Sequence, residues 1–148
     1  MKLRPQFAKS MRRRVILDTN TIVSALIKPN STPDRALRKA VIECDIFVSD
    51  ETFDELRDVL FRKKLDRYFA LRDTVRNRFI DFYRTKAISA EIHESITACE
   101  DPKDNKFLSL AVAVKAEILV TGDVEHLLAM NPFRNLQIMR AVDFLVLP

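Results

Sequence analysis

Three uninterrupted apolar runs constrain this chain most: Val15-Ile16-Leu17, Ile46-Phe47-Val48 and Ile118-Leu119-Val120. A strand that does not alternate apolar with polar residues is buried on both faces. Between the runs, apolar residues recur at helical spacing. Strands alternating with helices build crossover units, so the expected fold is α/β, a three-layer α/β/α sandwich around a central, mainly parallel sheet. The glycine count agrees. Gly122 is the one glycine in 148 residues, where usage of ~7% gives roughly ten. Such a chain has little means of making tight hairpins or Gly-rich phosphate loops.

Helix and strand signals follow in order. Thr19 or Asn20 is placed to cap a helix running to about Leu26. Ser31-Thr32-Pro33-Asp34 puts a cap, a first-turn proline and an acid at the start of a helix reaching Glu43, with Ala36, Leu37, Ala40 and Val41 inward. The strand at 45–48 leads to Ser49, which caps a helix whose stripe is Phe53, Leu56, Val59 and Leu60. The spacing of Tyr68, Leu71, Val75, Phe79 and Phe82 predicts one helix over 65–84, and Ala87 to Ile92 alternates like a strand. Asp101-Pro102 opens the helix carrying Phe107, Leu108, Ala111 and Val112. Leu136 to Met139 reads as an edge strand and Ala141 to Leu147 as a short terminal helix. Residues 1–13 show no period and read as a mobile basic arm before a single domain at 14–148.

Charge is unevenly placed. The net +4 arises from residues 1–14, which carry six bases and no acid. Residues 57–86 hold ten bases against four acids, whereas 91–125 hold three bases against eight acids. Basic stretches beside an acidic one suit a polyanion held near a metal or acid-base centre, although solvated helix faces give the same counts. The two cysteines, Cys44 and Cys99, form neither a disulfide framework nor a metal-binding spacing, and read as buried thiols of a cytoplasmic protein. No apolar run has the ~18 residues of a membrane span.

Ligands of an open parallel sheet bind beyond the carboxyl ends of its strands. Two strands end there in an acid: Leu17 runs into Asp18, and Thr121-Gly122 into Asp123. Either aspartate alone could simply cap the next helix, but the pair favours a functional reading. Asp104, at a helix start, is favoured by the dipole in any case. Glu55 cannot be raised above Glu51 and Asp58, which share its helix. Carboxylates brought within a few ångströms repel, and a hard dication such as Mg²⁺ or Mn²⁺ resolves the conflict through all-oxygen ligation. Such a centre activates water and stabilises the leaving oxygen of a displacement at phosphorus. His93 and His126 have no metal-spaced partner and receive no role.

These residues resemble a known family. Val15-Ile16-Leu17-Asp18-Thr19-Asn20, Ser49 with Glu55-Leu56, Asp101-Pro102-x-Asp104-Asn105, and Leu119-Val120-Thr121-Gly122-Asp123 are together similar to the PIN-domain ribonucleases, in particular the toxin-type branch related to the VapC toxins. The resemblance implies a Mg²⁺- or Mn²⁺-dependent endoribonuclease with RNA as substrate. It also implies a homodimer or higher homo-oligomer held in check by a cognate antitoxin protein. Carried over by position, Asp18, Glu55, Asp104 and Asp123 are the catalytic, metal-binding acids, and Asn20, Asp101 and Thr121 support them. Arg57, Lys103 and Lys106 are phosphate-binding candidates, while Tyr68, Phe69, Phe79 and Phe82 read as core. Two other readings stand beside this one. Asp18-Thr19-Asn20-Thr21 resembles the haloacid-dehalogenase phosphatase motif, but its second acid is Asn20 and Leu127 stands where a further Asp belongs. The acids could also merely cap helices in a binding module for RNA or protein.

Overall fold

The protein is described by a computed structural model over residues 11–69 and 73–148. The basic residues Lys2, Arg4 and Lys9 of the expected arm, and Leu71 of the expected 65–84 helix, lie outside the described residues.

Five strands form one sheet in the order β3-β2-β1-β4-β5: β1 (Arg14–Leu17), β2 (Asp45–Val48), β3 (Ile88–Ser89), β4 (Ile118–Val120) and β5 (Gln137–Met139). Every pairing is parallel. Val15, Ile16 and Leu17 lie opposite Ile118, Leu119 and Val120, and Val15 lies opposite Ile46. The strand interiors face two cores. Val15, Leu17, Ile46, Val48, Ile118 and Val120 pack with α1 (Thr19–Ile27), α2 (Thr32–Glu43), α3 (Asp50–Leu60), α4 (Asp73–Lys86) and α6 (Ala141–Leu145). Ile16, Leu119 and Ile138 pack on the opposite face with α5 (Asn105–Val114) and the segments around Ile96 and Leu127. Apolar residues therefore continue along the strands because both faces are covered.

Caps fix most helix starts. Ser31 Oγ accepts from the Asp34 amide, and Ser49 with Thr52 forms a reciprocal capping box. At α1 the expectation is corrected: Asp18, rather than Thr19 or Asn20, is the cap, its Oδ1 accepting from the Thr21 amide at 2.9 Å. The helix expected over 65–84 is likewise revised to a 3-10 turn at Lys63–Tyr68 and a helix at Asp73–Lys86.

Helix α4 also buries a different stripe. Arg76, Ile80 and Tyr83 turn inward, whereas Tyr68, Val75 and Phe82 are exposed, so the core assignment of Tyr68 and Phe82 is overturned. Arg76 is 2% exposed because Asp66 and the Leu60 carbonyl accept from its guanidinium while the Phe61 and Phe69 rings cover it. The β3 strand is shorter than the expected 87–92: Ile88 and Ser89 pair in register with Phe47 and Val48, and the Ala90 amide adds one bond to the Val48 carbonyl.

Left-handed backbone occurs at Asn30, Lys115 and Arg134, and Gly122 is not among such positions. A Cβ added at Gly122 meets nothing within 4 Å. Gly122 therefore serves neither a left-handed dihedral nor a close backbone approach. Among the described residues, no helix is long and apolar enough to cross a membrane.

Candidate active site

The acids gather where β1 and β4 leave the sheet. The Asp18 amide donates to the Val120 carbonyl and the Thr121 amide to Met139, which ties the ends of β1, β4 and β5 together. Asp18 is buried, and the Thr121 hydroxyl donates to its Oδ2 at 2.5 Å. That same hydroxyl oxygen accepts from the Asp123 amide at 3.0 Å. One fully buried threonine thus links the Asp18 carboxylate to the backbone of Asp123. Burial raises the Asp18 pKa, and its hydrogen bonds with Thr121 and Thr21 only partly offset that rise.

Asp104 enters from a 3-10 turn at Pro102–Asp104 that leads into α5, and Asp101 caps that turn through the Lys103 amide. Its pKa is pushed up to about 7, first by burial, then by a hydrogen bond to Asp123 and by the charges of Asp123, Asp101 and Asp18. Burial also works against the Asp123 carboxylate, but the Asp104 hydrogen bond, the amides of His126 and Leu127 and the His126 charge hold its pKa below the usual value. Asp104 Oδ2 is buried without a hydrogen-bond partner. An orphaned carboxylate oxygen among other acids is what a cation would satisfy.

Glu55 approaches from α3. The Thr19 hydroxyl donates to its Oε1 and the Lys106 ammonium to its Oε2, the latter at 2.9 Å. Lys106 also donates to the Lys103 carbonyl. Asp18, Thr19, Asn20, Glu55, Asp101, Lys103, Asp104 and Phe107 line a cleft of about 160 Å³. Of the residues singled out in the sequence, Arg57 lies apart, paired with Asp54 at 3.0 Å beside Phe53.

One side chain here escaped the sequence reading. His126 Nδ1 lies 3.4 Å from Asp123 Oδ1. Donor atoms of Asp101, Asp104 and His126 all lie within 4.8 Å of one another. The available signal was the three-residue step from Asp123 to His126 in the turn after β4. Leu127, where a phosphatase of the haloacid type would need an acid, is fully buried in the core.

A mostly oxygen donor set, with one imidazole at its edge, suits a divalent cation such as Mg²⁺ or Mn²⁺. The fold and this cluster of acids at the strand ends define a PIN-type α/β protein. The PIN domain family model matches residues 14–125, and the chain belongs to that family. It is 27% identical over 116 residues to an uncharacterized protein of Methanocaldococcus jannaschii, which covers 78% of this chain and 74% of the relative. Its fold is similar to that of a chain in the crystal structure of VapBC2 from Rickettsia felis bound to a promoter DNA fragment. There the TM-score is 0.57 and the identity 19%, over 84% of this chain and 96% of that one.

Proposed function

We propose that the protein is a metal-dependent endoribonuclease that hydrolyses RNA phosphodiester bonds. The observation that carries this reading is the buried, unpartnered Asp104 oxygen in a cleft also lined by Asp18 and Glu55, where burial and the neighbouring Asp123 push the Asp104 carboxyl up. Asp18, Glu55, Asp104 and Asp123 hold Mg²⁺ or Mn²⁺, with Asp101 and His126 at the margin of the site. Bound there, the cation lowers the pKa of a water and balances charge on the leaving oxygen.

The chain's own groups do the rest. Thr121 holds the Asp18 carboxylate and the Asp123 backbone in a common frame, so the Asp18 oxygen is already in place when the cation arrives. Thr19 and Lys106 orient Glu55. Lys106 can also turn its ammonium from Glu55 toward a phosphate oxygen, and Lys103 lies on the same lip of the cleft. Arg57, paired with Asp54 outside the cleft, serves at most the outer path of the strand.

The biological setting we favour is the toxin of a toxin–antitoxin pair, acting as a homodimer with a cognate antitoxin. The VapBC2 fold neighbour supports this setting. The test incubates purified protein with a panel of RNAs in Mn²⁺, in EDTA and as Asp104→Asn. Cleavage in Mn²⁺ that disappears in the other two arms is expected. Cleavage that persists in both would overturn the mechanism.

A further inference from the structure

A second recess opens on the rim beside the cleft. It has a volume of about 380 Å³ and lies between α1, the start of α2 and the start of α6. Asn20, an exposed residue, lines both the recess and the acidic cleft, so the two meet at that side chain. Thr121 lines the recess as well, and it is the residue that supports Asp18. The rest of the polar lining is neutral except for one cation: Thr21, Ser24 and Thr32 supply hydroxyls, and Arg140 supplies a guanidinium.

Charge decides which way a polyanion leaves the cleft. On the α3 side, one helical turn before Glu55, lies Glu51. It lines a larger recess of about 560 Å³ together with Asp50 and Glu91, with no basic residue in the lining. Three carboxylates repel a phosphodiester chain. The recess beyond Asn20 has no carboxylate in its lining. Arg140 donates through Nε to Asp143 at 3.1 Å, but both side chains are at least half exposed. That pair is solvated and weak, and a guanidinium has five donors, so Arg140 can engage a phosphate without first breaking a buried contact.

We infer that this recess is a nucleotide subsite. It receives the ribose and base adjoining the bond to be cleaved, and Arg140 contacts the next phosphate. The inference rests on the ribonuclease reading and adds the direction of the strand to it. The volume is within the range of small-ligand pockets, roughly 300–1,000 Å³. Uncharged hydroxyl and amide groups suit a 2′-hydroxyl and the edge of an unstacked base. Arg140 is a positioning residue for substrate, not a metal ligand.

The test measures cleavage of single-stranded RNAs in Mn²⁺ at several salt concentrations, alongside Mn²⁺ affinity. The variants are Arg140→Ala, Arg140→Lys and Ser24→Trp, with Arg134→Ala as the control. Arg134 lines a separate recess with Lys115 and Glu117. Arg140→Ala should raise KM about tenfold and flatten the dependence of log KM on log salt by about 0.7, the loss of one single-strand phosphate contact. Arg140→Lys should restore that slope. Ser24→Trp, at an exposed helix position, should change the ranking of RNAs that differ in the nucleotide beside the cleaved bond. Mn²⁺ affinity should stay at its wild-type value throughout.

An unchanged KM and salt slope in Arg140→Ala, or a loss of Mn²⁺ affinity with it, would overturn the subsite. So would an unchanged ranking in Ser24→Trp. If the wild type cuts the RNAs and these variants match it, only the subsite fails. If the wild type cuts no RNA, the ribonuclease reading fails and the subsite falls with it.

Discussion

Cation binding should expel a proton, because burial and the neighbouring acids hold the Asp104 carboxyl well above the usual carboxylate range. With Asp104 pushed up to about 7, the carboxyl is about nine-tenths protonated at pH 6 and about one-tenth at pH 8. A cation that takes the carboxylate therefore displaces ~0.9 proton at pH 6 and ~0.1 at pH 8. Linkage then requires affinity to fall about tenfold per pH unit below 7, or roughly 100-fold between pH 8 and pH 5. Titration calorimetry with Mg²⁺ or Mn²⁺, in two buffers of different ionisation heat, yields the proton count and the affinity together. Asp104→Asn should remove the Asp104 share of that proton release. A carboxylate cluster with ordinary pKa values would release almost nothing above pH 6, so a flat affinity profile between pH 5 and 7 would refute the raised Asp104 carboxyl. The sign for stability is opposite. A carboxyl raised in the folded state stabilises the metal-free protein fully below about pH 4, and this contribution is lost as pH rises through 7. Metal should restore stability above pH 7.

Three further outcomes are expected. Thr121→Val removes a buried hydroxyl that serves both Asp18 and Asp123, and should cost about 1–3 kcal/mol in denaturant unfolding while also weakening Mn²⁺ binding; unchanged metal affinity would contradict the shared frame. Arg76→Ala leaves the Leu60 carbonyl, the Asp66 carboxylate and the Phe61 and Phe69 rings without their partner, and should destabilise by about 1–3 kcal/mol in the same assay. Gly122→Ala should shift stability by no more than about 0.5 kcal/mol, because its Cβ enters open space and no left-handed backbone is involved; a large thermal shift would show that the glycine is needed after all.

The sheet was legible in the sequence because double burial makes strands read as unbroken apolar runs, and Val15-Ile16-Leu17 and Ile118-Leu119-Val120 have no other simple reading. Asp18 and Asp123 were legible for the same reason, each standing at the stop of such a run. Glu55 was not separable from Glu51 and Asp58, since a helix periodicity says which residues share a face but not what stands opposite. Only the fold brings Thr19 and Lys106 against it. Helix α4 misled because its inward stripe begins with a charged residue. Reading Arg76 as solvated moves the stripe by one position and puts Val75 and Phe82 inside, where the structure has Arg76 and Tyr83. His126 received no role because its neighbours Asp101 and Asp104 are more than twenty residues away in the chain, where spacing carries no signal.

The parallel pairing also has a consequence for how the protein is made. The strand that completes the centre of the sheet, β4, joins β1 across about a hundred residues, and the Thr121–Asp18 hydrogen bond spans a separation of 103. Pairing at that distance closes late, after the entropy of a long loop has been overcome. On the ribosome, β1 waits with its acid unsupported until β4 and β5 have emerged. A nascent chain that ends before Thr121 has the aspartate of β1 but not its threonine. Whatever the finished site does, the chain gains that capacity only once β4 has emerged.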